Sequence, residues 1–174
     1  MKDKIICHNL HGEEFPVETE KFKFRPSVYG LLIENGKILL SKQWGGYDFP
    51  GGGVEIDETI SETIIREFWE ETGLRVKPGR ILHAETSFYR PHHDDKDGKE
   101  IYWNCQLIYL AVERVSGELS VSNVDEFEQG NLELPEWIDI GCLSDLEFKN
   151  SLGPRSADLI KHAALNEPYY IETL

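Results

Sequence analysis

Cysteine is scarce. Only Cys7, Cys105 and Cys142 occur among 174 residues, widely spaced and without a Cys-x-x-Cys pair. That odd, scattered set excludes a disulfide framework and a thiolate zinc site, and it suits a reducing compartment. Long apolar runs are also missing. The longest near the middle, residues 107–112, falls far short of the roughly 20 residues needed to span a bilayer. The opening Met-Lys-Asp-Lys reaches only Ile5-Ile6-Cys7 before polar residues return, so no secretory apolar core is expected. Positive charge is the third shortage: 18 Lys and Arg stand against 32 Asp and Glu, a formal charge of −14. A field of that sign repels nucleic-acid backbones and anionic membrane surfaces. A cytoplasmic protein with no membrane and no nonspecific nucleic-acid partner is expected. It can handle a phosphate compound only where local cations, metal ions or oriented N–H groups reverse the field.

What is present fits one globular domain over residues 1–174, with 40% hydrophobic residues and no repeat or low-complexity linker. Apolar runs at 28–33 and 37–40 flank Glu34-Asn35-Gly36, where Asn-Gly supplies the positive φ of a tight hairpin. The next ten residues, 44–53, are too rich in Gly and Pro for a regular element, and a helix follows over about 57–72, with Asp57 as N-cap and Gly73 as its stop. Strands are expected at 80–89 and 101–113 around a polar loop at 91–99, with shorter ones at 118–121 and 134–140. A second helix follows Gly153-Pro154, with Ala157, Ile160, Ala164 and Leu165 as its apolar face. Strands, helix, strands, helix imply an α+β fold in which helices cover the faces of a sheet.

The central helix carries the chemistry. Ile60, Ile64 and Phe68 form its core stripe, widened by Ile65 and Trp69, while Glu67, Glu70 and Glu71 crowd one turn of a neighbouring face near the C-terminal end. Helix electrostatics oppose that placement, because the C-terminal end already carries partial negative charge and like-charged neighbours repel. A solvated acidic face is one reading. A hard divalent cation is the other, since Mg²⁺ binds through carboxylates and substrate phosphates.

The wider frame decides between them. From Gly52 the chain runs five residues to Glu58, seven more to Arg66-Glu67-Phe68-Trp69-Glu70-Glu71, and on to Thr72-Gly73-Leu74. This stretch, 52–74, resembles the signature of the Nudix (MutT-type) hydrolases, G-x5-E-x7-R-E-U-x-E-E-x-G-U, with U a bulky apolar residue; Phe68 stands where an aliphatic residue is more usual. Phe49-Pro50-Gly51-Gly52 and Glu55 also look like the family. The resemblance implies an α/β/α sandwich with a mixed sheet and Mg²⁺-dependent hydrolysis, Mn²⁺ being an alternative ion, of a nucleoside diphosphate linked to another moiety. It implies Glu67, Glu70 and Glu71 as metal ligands, with the Gly51 carbonyl completing the set. Arg66 is expected to orient glutamates, with Glu62 and Glu70 each one turn away, and Glu58 to support.

The resemblance therefore implies a catalytic set of Glu58, Arg66, Glu67 and Glu71. The general base is Glu67 or Glu71, or a later glutamate among Glu126, Glu128 and Glu133. Lys42 and Arg90 are candidate phosphate contacts, and Trp44, Tyr89, Phe88 and Trp103 candidate stacking residues. Tyr89 and Pro91 lie 15 and 17 residues beyond Leu74; a proline near there resembles family subgroups acting on ADP-ribose and a tyrosine those acting on dinucleoside polyphosphates, so the resemblance leaves both open. His92-His93-Asp94-Asp95 reads as a polar loop rather than a transition-metal site. A noncatalytic nucleotide sensor and a prenyl diphosphate isomerase, which would use Cys105, are the competing functions. A homodimer is compatible with all three.

Overall fold

The computed structural model describes residues 2–43, 45–91, 93–95, 97–123, 132–150, 152–153, 155–167 and 169. Its strands are β1 (Lys4–His8), β2 (Glu14–Glu18), β3 (Phe22–Glu34), β4 (Lys37–Gln43), β5 (Gly46–Asp48), β6 (Gly51–Gly53), β7 (Leu74–Tyr89), β8 (Tyr102–Gly117) and β9 (Leu132–Asp139), with helices α1 (Ile60–Thr72) and α2 (Arg155–Ala164). They join in a mixed sheet of order β2-β1-β7-β8-β3-β4-β5, with β6 paired to β3 and β9 to β4. The long β3 and β8 run parallel, while β7 and β8 are antiparallel.

Alternation along the strands builds two cores. Val28 and Leu32 of β3 and Leu110 and Val112 of β8 pack on Ile64 and Phe68 of α1. Leu31 of β3 and Leu107 and Tyr109 of β8 point the other way, toward Leu159 and Ile160 of α2. Helices therefore cover opposite faces of an α+β sandwich. Gly30 makes the first packing possible, since a Cβ there would lie 2.4 Å from Phe68 Cε2.

Several elements follow the sequence pattern. Asn35 and Gly36 take φ of 51° and 75° at the β3–β4 hairpin, and Gly73 ends α1 at φ 73° with its N–H donating to Trp69 O. Others differ. α1 starts at Ile60, and its N-cap is Thr59 rather than Asp57, because Thr59 and Glu62 form a reciprocal capping box. Ile60 is consequently 37% exposed on the first turn and outside the core.

The Gly-rich segment holds β5 and β6 instead of being irregular, with Gly51 so close to β3 that a Cβ would sit 2.2 Å from Val28 O. Pro78-Gly79 does not interrupt β7, because a register shift between Pro78 and Ile81 absorbs it. Residues 118–121 form no strand; they cross the end of α1, where Ser120 N–H donates to Thr72 O at 2.9 Å. On α2 the buried face is Ser156, Leu159 and Ile160, and Leu165 lies beyond the helix, 68% exposed. The β1–β2 hairpin carries no turn signal of the kind read at Asn35-Gly36 and was not expected. Among the described residues no helix is long and apolar enough to cross a membrane.

Candidate active site

The site is built where α1 meets the Gly-rich strand β6. Arg66 spends its whole guanidinium there. Nε and Nη2 grip the two oxygens of Glu58 at 2.7 and 2.9 Å, Nη1 meets Glu67 Oε1 and Glu70 Oε2 at 2.9 Å each, and Nη2 also reaches Gly53 O at 3.2 Å. The fork-to-fork pair with Glu58 holds that carboxylate down at about 2 and raises Arg66 above its ordinary value. Arg66 thus ties the loop, the strand and two acids of the helix together. Glu62 is not one of its partners: the capping box takes the Glu62 carboxylate, which accepts from Thr59 N and Oγ1.

Glu67 and Glu71 line the other side of the turn. A Cβ on Gly52 would sit 2.4 Å from Glu67 Oε1, so only glycine leaves this carboxylate its place against the strand. Glu71 Oε2 accepts from Ser41 Oγ at 2.9 Å and from Gly51 N–H at 3.2 Å. Burial pushes Glu71 well above the usual carboxylate range, and the charge of Glu67 adds to the shift. Glu70 turns outward to Arg66.

Two acids beside a glycine cradle, at a helix end with no basic residue in its last turn, could serve as donors to a hard divalent cation. Among the described residues no three His, Cys, Asp or Glu side chains gather as a cage. Mg²⁺ needs none, since it binds through one or two carboxylates plus substrate phosphates. The residues present fit such an ion.

On the opposite face of β3 opens a cavity of about 790 Å³. Its floor is one face of the sheet: Arg25 and Tyr29 from β3, Cys105 and Tyr109 from β8, Ser87 and Tyr89 from β7. Its wall includes Asp48 and Asn150. β6 separates the two halves, because Gly52 faces Glu67 while a Cβ on Gly53 would meet the Arg25 guanidinium at 2.7 Å. Arg25 donates to Ser27 Oγ at 2.9 Å and lies over the Trp103 ring, and it forms no ion pair among the described residues. Burial raises Asp48 to about 6, against the hydrogen bonds it accepts from Asn150 and Phe49.

Of the expected substrate residues that are described, only Tyr89 lines the cavity. Lys42 is bound instead to Glu133 and Glu136 at 3.1 and 3.2 Å, which also occupies Glu133, and Arg90 is bound to Asp94 and Glu100. Phe88 packs edge-on against Phe22. Trp44, Glu126, Glu128 and His92 lie outside the described residues. Asp95 closes its own loop by accepting from Asp97 and Lys99 N–H. Arg25, Tyr29 and Asp48 went unnoticed in the sequence. The alternation Arg25, Ser27, Tyr29 along the strand before the Asn35-Gly36 hairpin was the available signal for the first two.

A family model described as NUDIX domain matches residues 23–158. This chain belongs to the Nudix family. The ADP-ribose pyrophosphatase of Methanocaldococcus jannaschii is 39% identical over 160 residues, 83% of this chain and 85% of that protein. An RNA pyrophosphohydrolase of Actinobacillus succinogenes is 38% identical over 71 residues, and the match spans only 36% of that relative's length. Among solved structures, an ADP-ribose pyrophosphatase from Streptococcus suis superposes with a TM-score of 0.60 at 16% identity, covering 84% of this chain and 96% of that one. A Nudix hydrolase from Nitrosomonas europaea gives 0.60 at 18%, covering 87% and 100%. At those identities the structural likeness speaks for the Nudix fold.

Proposed function

We propose that this Nudix chain is a hydrolase, dependent on a divalent metal, that cleaves the diphosphate link between a nucleoside and a second moiety, with ADP-ribose the first substrate to try. The observation that carries the reading is the pairing of Glu67 and Glu71 against Gly51 and Gly52, where burial and like charge make a cation the natural third partner. The substrate suggestion is supported by the Methanocaldococcus jannaschii relative, similar over most of both chains.

In this reading Glu67, Glu71 and the Gly51 carbonyl would hold Mg²⁺ or Mn²⁺, and Glu70, turned outward to Arg66, would join them only by releasing that partner. Such an ion supplies charge neutralisation at the diphosphate oxygens and acidifies a bound water. Glu67 takes the proton of the attacking water, its oxygens lying against Gly52 where backbone and substrate approach without a Cβ between them. Glu71, anchored by Ser41 and Gly51 N–H, keeps a fixed position beside it. Arg66 and Glu58 position the acidic turn without touching substrate. Arg25, across β6 and without an acidic partner among the described residues, meets the phosphate charge from the cavity side.

The test is a panel of ADP-ribose, UDP-glucose, nucleoside triphosphates, dinucleoside polyphosphates and 5′-triphosphorylated RNA with Mg²⁺ or Mn²⁺ and analysis of the products. Metal-dependent release of a nucleoside monophosphate from a diphosphate conjugate is expected. Tight binding without turnover across the panel would instead mark a nucleotide sensor.

A further inference from the structure

Asp48 makes no hydrogen bond to the metal turn among the described residues, although its charge reaches Glu71. It is 8% exposed and lies in the cavity wall. Both of its hydrogen bonds end on Oδ1, from Phe49 N–H at 2.7 Å and from Asn150 Nδ2 at 2.9 Å. Asn150 is itself fixed, its Oδ1 accepting from Gly153 N–H and Ser156 Oγ at the start of α2. Among the described residues Asp48 joins no ion pair and Oδ2 has no donor. A buried carboxylate oriented by two donors and left open on one oxygen calls for a donor from a ligand.

Tyr29, on the floor of the same cavity, lies near Asp48. Its hydroxyl makes no hydrogen bond among the described residues, and Tyr29 registers the charge of Asp48. Acceptor and donor therefore face one space, next to Gly51, which pairs with Tyr29 across β3 and β6. Part of the nearby aromatic surface is already engaged. Tyr29 stacks on Tyr109 at 5.6 Å, and Tyr109 stacks on His83 at 5.8 Å. That ladder holds the Tyr29 ring in place. A ring of hydroxyl groups matches both free atoms.

We propose that Asp48, with Tyr29, is the specificity determinant for the hydroxylated second moiety of the substrate, a sugar joined through the diphosphate, with Asp48 Oδ2 accepting from a sugar hydroxyl and the Tyr29 hydroxyl completing the pair. The proposal rests on the hydrolase reading for the identity of the substrate. A site built to hydrogen-bond a hydroxyl discriminates strongly against an analogue lacking it, because its own buried group is then left unpaired.

The test is calorimetric binding in the presence of a chelator, so that recognition is measured apart from turnover. ADP-ribose is compared with the β-methyl ester of ADP, and UDP-glucose with the β-methyl ester of UDP. The native protein should bind at least one sugar conjugate about tenfold or more tighter than its methyl ester, on the order expected for a hydrogen-bonded hydroxyl. Asp48→Asn keeps Oδ1 for Phe49 and Asn150 but turns a donor toward the sugar, and it should abolish that preference. Tyr29→Phe keeps the ring stack and should lower the preference by a smaller factor, carrying the test should Asp48→Asn fail to melt as a folded protein. Equal binding of sugar and methyl conjugates by the native protein, or a preference that survives both substitutions, overturns the proposal. A persistent sugar preference without metal-dependent turnover would count against the hydrolase reading alone.

Discussion

At the scale of single residues, the acids of the box have different environments and so different expected losses. Glu67 lies against Gly52 and beside Arg66, while Glu70 faces outward on Arg66 with its side chain 34% exposed. Glu67→Gln should lower kcat by roughly 10²- to 10⁴-fold, the range for a lost general base. Glu58→Gln should cost less, because Glu58 acts only through Arg66; steady-state kinetics on the two variants would reveal the opposite ranking. Asp48 gives a stability prediction. Its carboxyl is raised in the fold from 3.8 to about 6, so the folded state binds its proton more tightly than the unfolded chain. The stabilisation it brings is complete below pH 3.8 and is lost as pH rises toward 6. Asp48→Asn should therefore flatten the part of the denaturation-midpoint profile between those pH values, and an unchanged slope would show that the group is not perturbed.

At the scale of elements, two joints hold the site. The first is the start of α1. Thr59→Ala removes the capping box and should cost about 0.5–2 kcal/mol by chemical denaturation, with kcat largely retained. The second is β6. Gly52→Ala places a methyl group on the Glu67 carboxylate; because that carboxylate is the end of a flexible side chain, activity should fall far more than the melting temperature. A proportionate fall in both would point to a misfolded strand instead. These elements also show what could be read in advance. The acidic turn, the β3–β4 hairpin and the stop at Gly73 were legible because each is a local pattern whose physics acts within one turn. The cap was misplaced by two residues because Asp57 and Thr59 are both good N-caps, and only the reciprocal bond with Glu62 separates them. Strands β5 and β6 were hidden because glycine there reports the closeness of β3, a contact far away in sequence. Asp48 was invisible for the same reason, and the alternation around Arg25 marked a strand face without marking its function: what singles both out is the partner each lacks, and a lack of partners is a property of the folded chain.

At the scale of the whole molecule, the topology puts the acidic turn on one face of the sheet and the cavity on the other, with three glycines between them. In a chain of net charge −14, a diphosphate is drawn in only where that charge is locally reversed, and the account assigns the reversal to a cation on α1 and to Arg25 across β6. The most direct measurement is an anomalous difference map from crystals soaked in Mn²⁺ and a non-hydrolysable analogue of ADP-ribose. The account predicts one peak or more enclosed by Glu67, Glu71 and the Gly51 carbonyl, with the analogue's phosphates on its open side and its second ribose toward Asp48. Manganese bound elsewhere, with the Glu67 and Glu71 carboxylates unengaged beside a bound analogue, would contradict it.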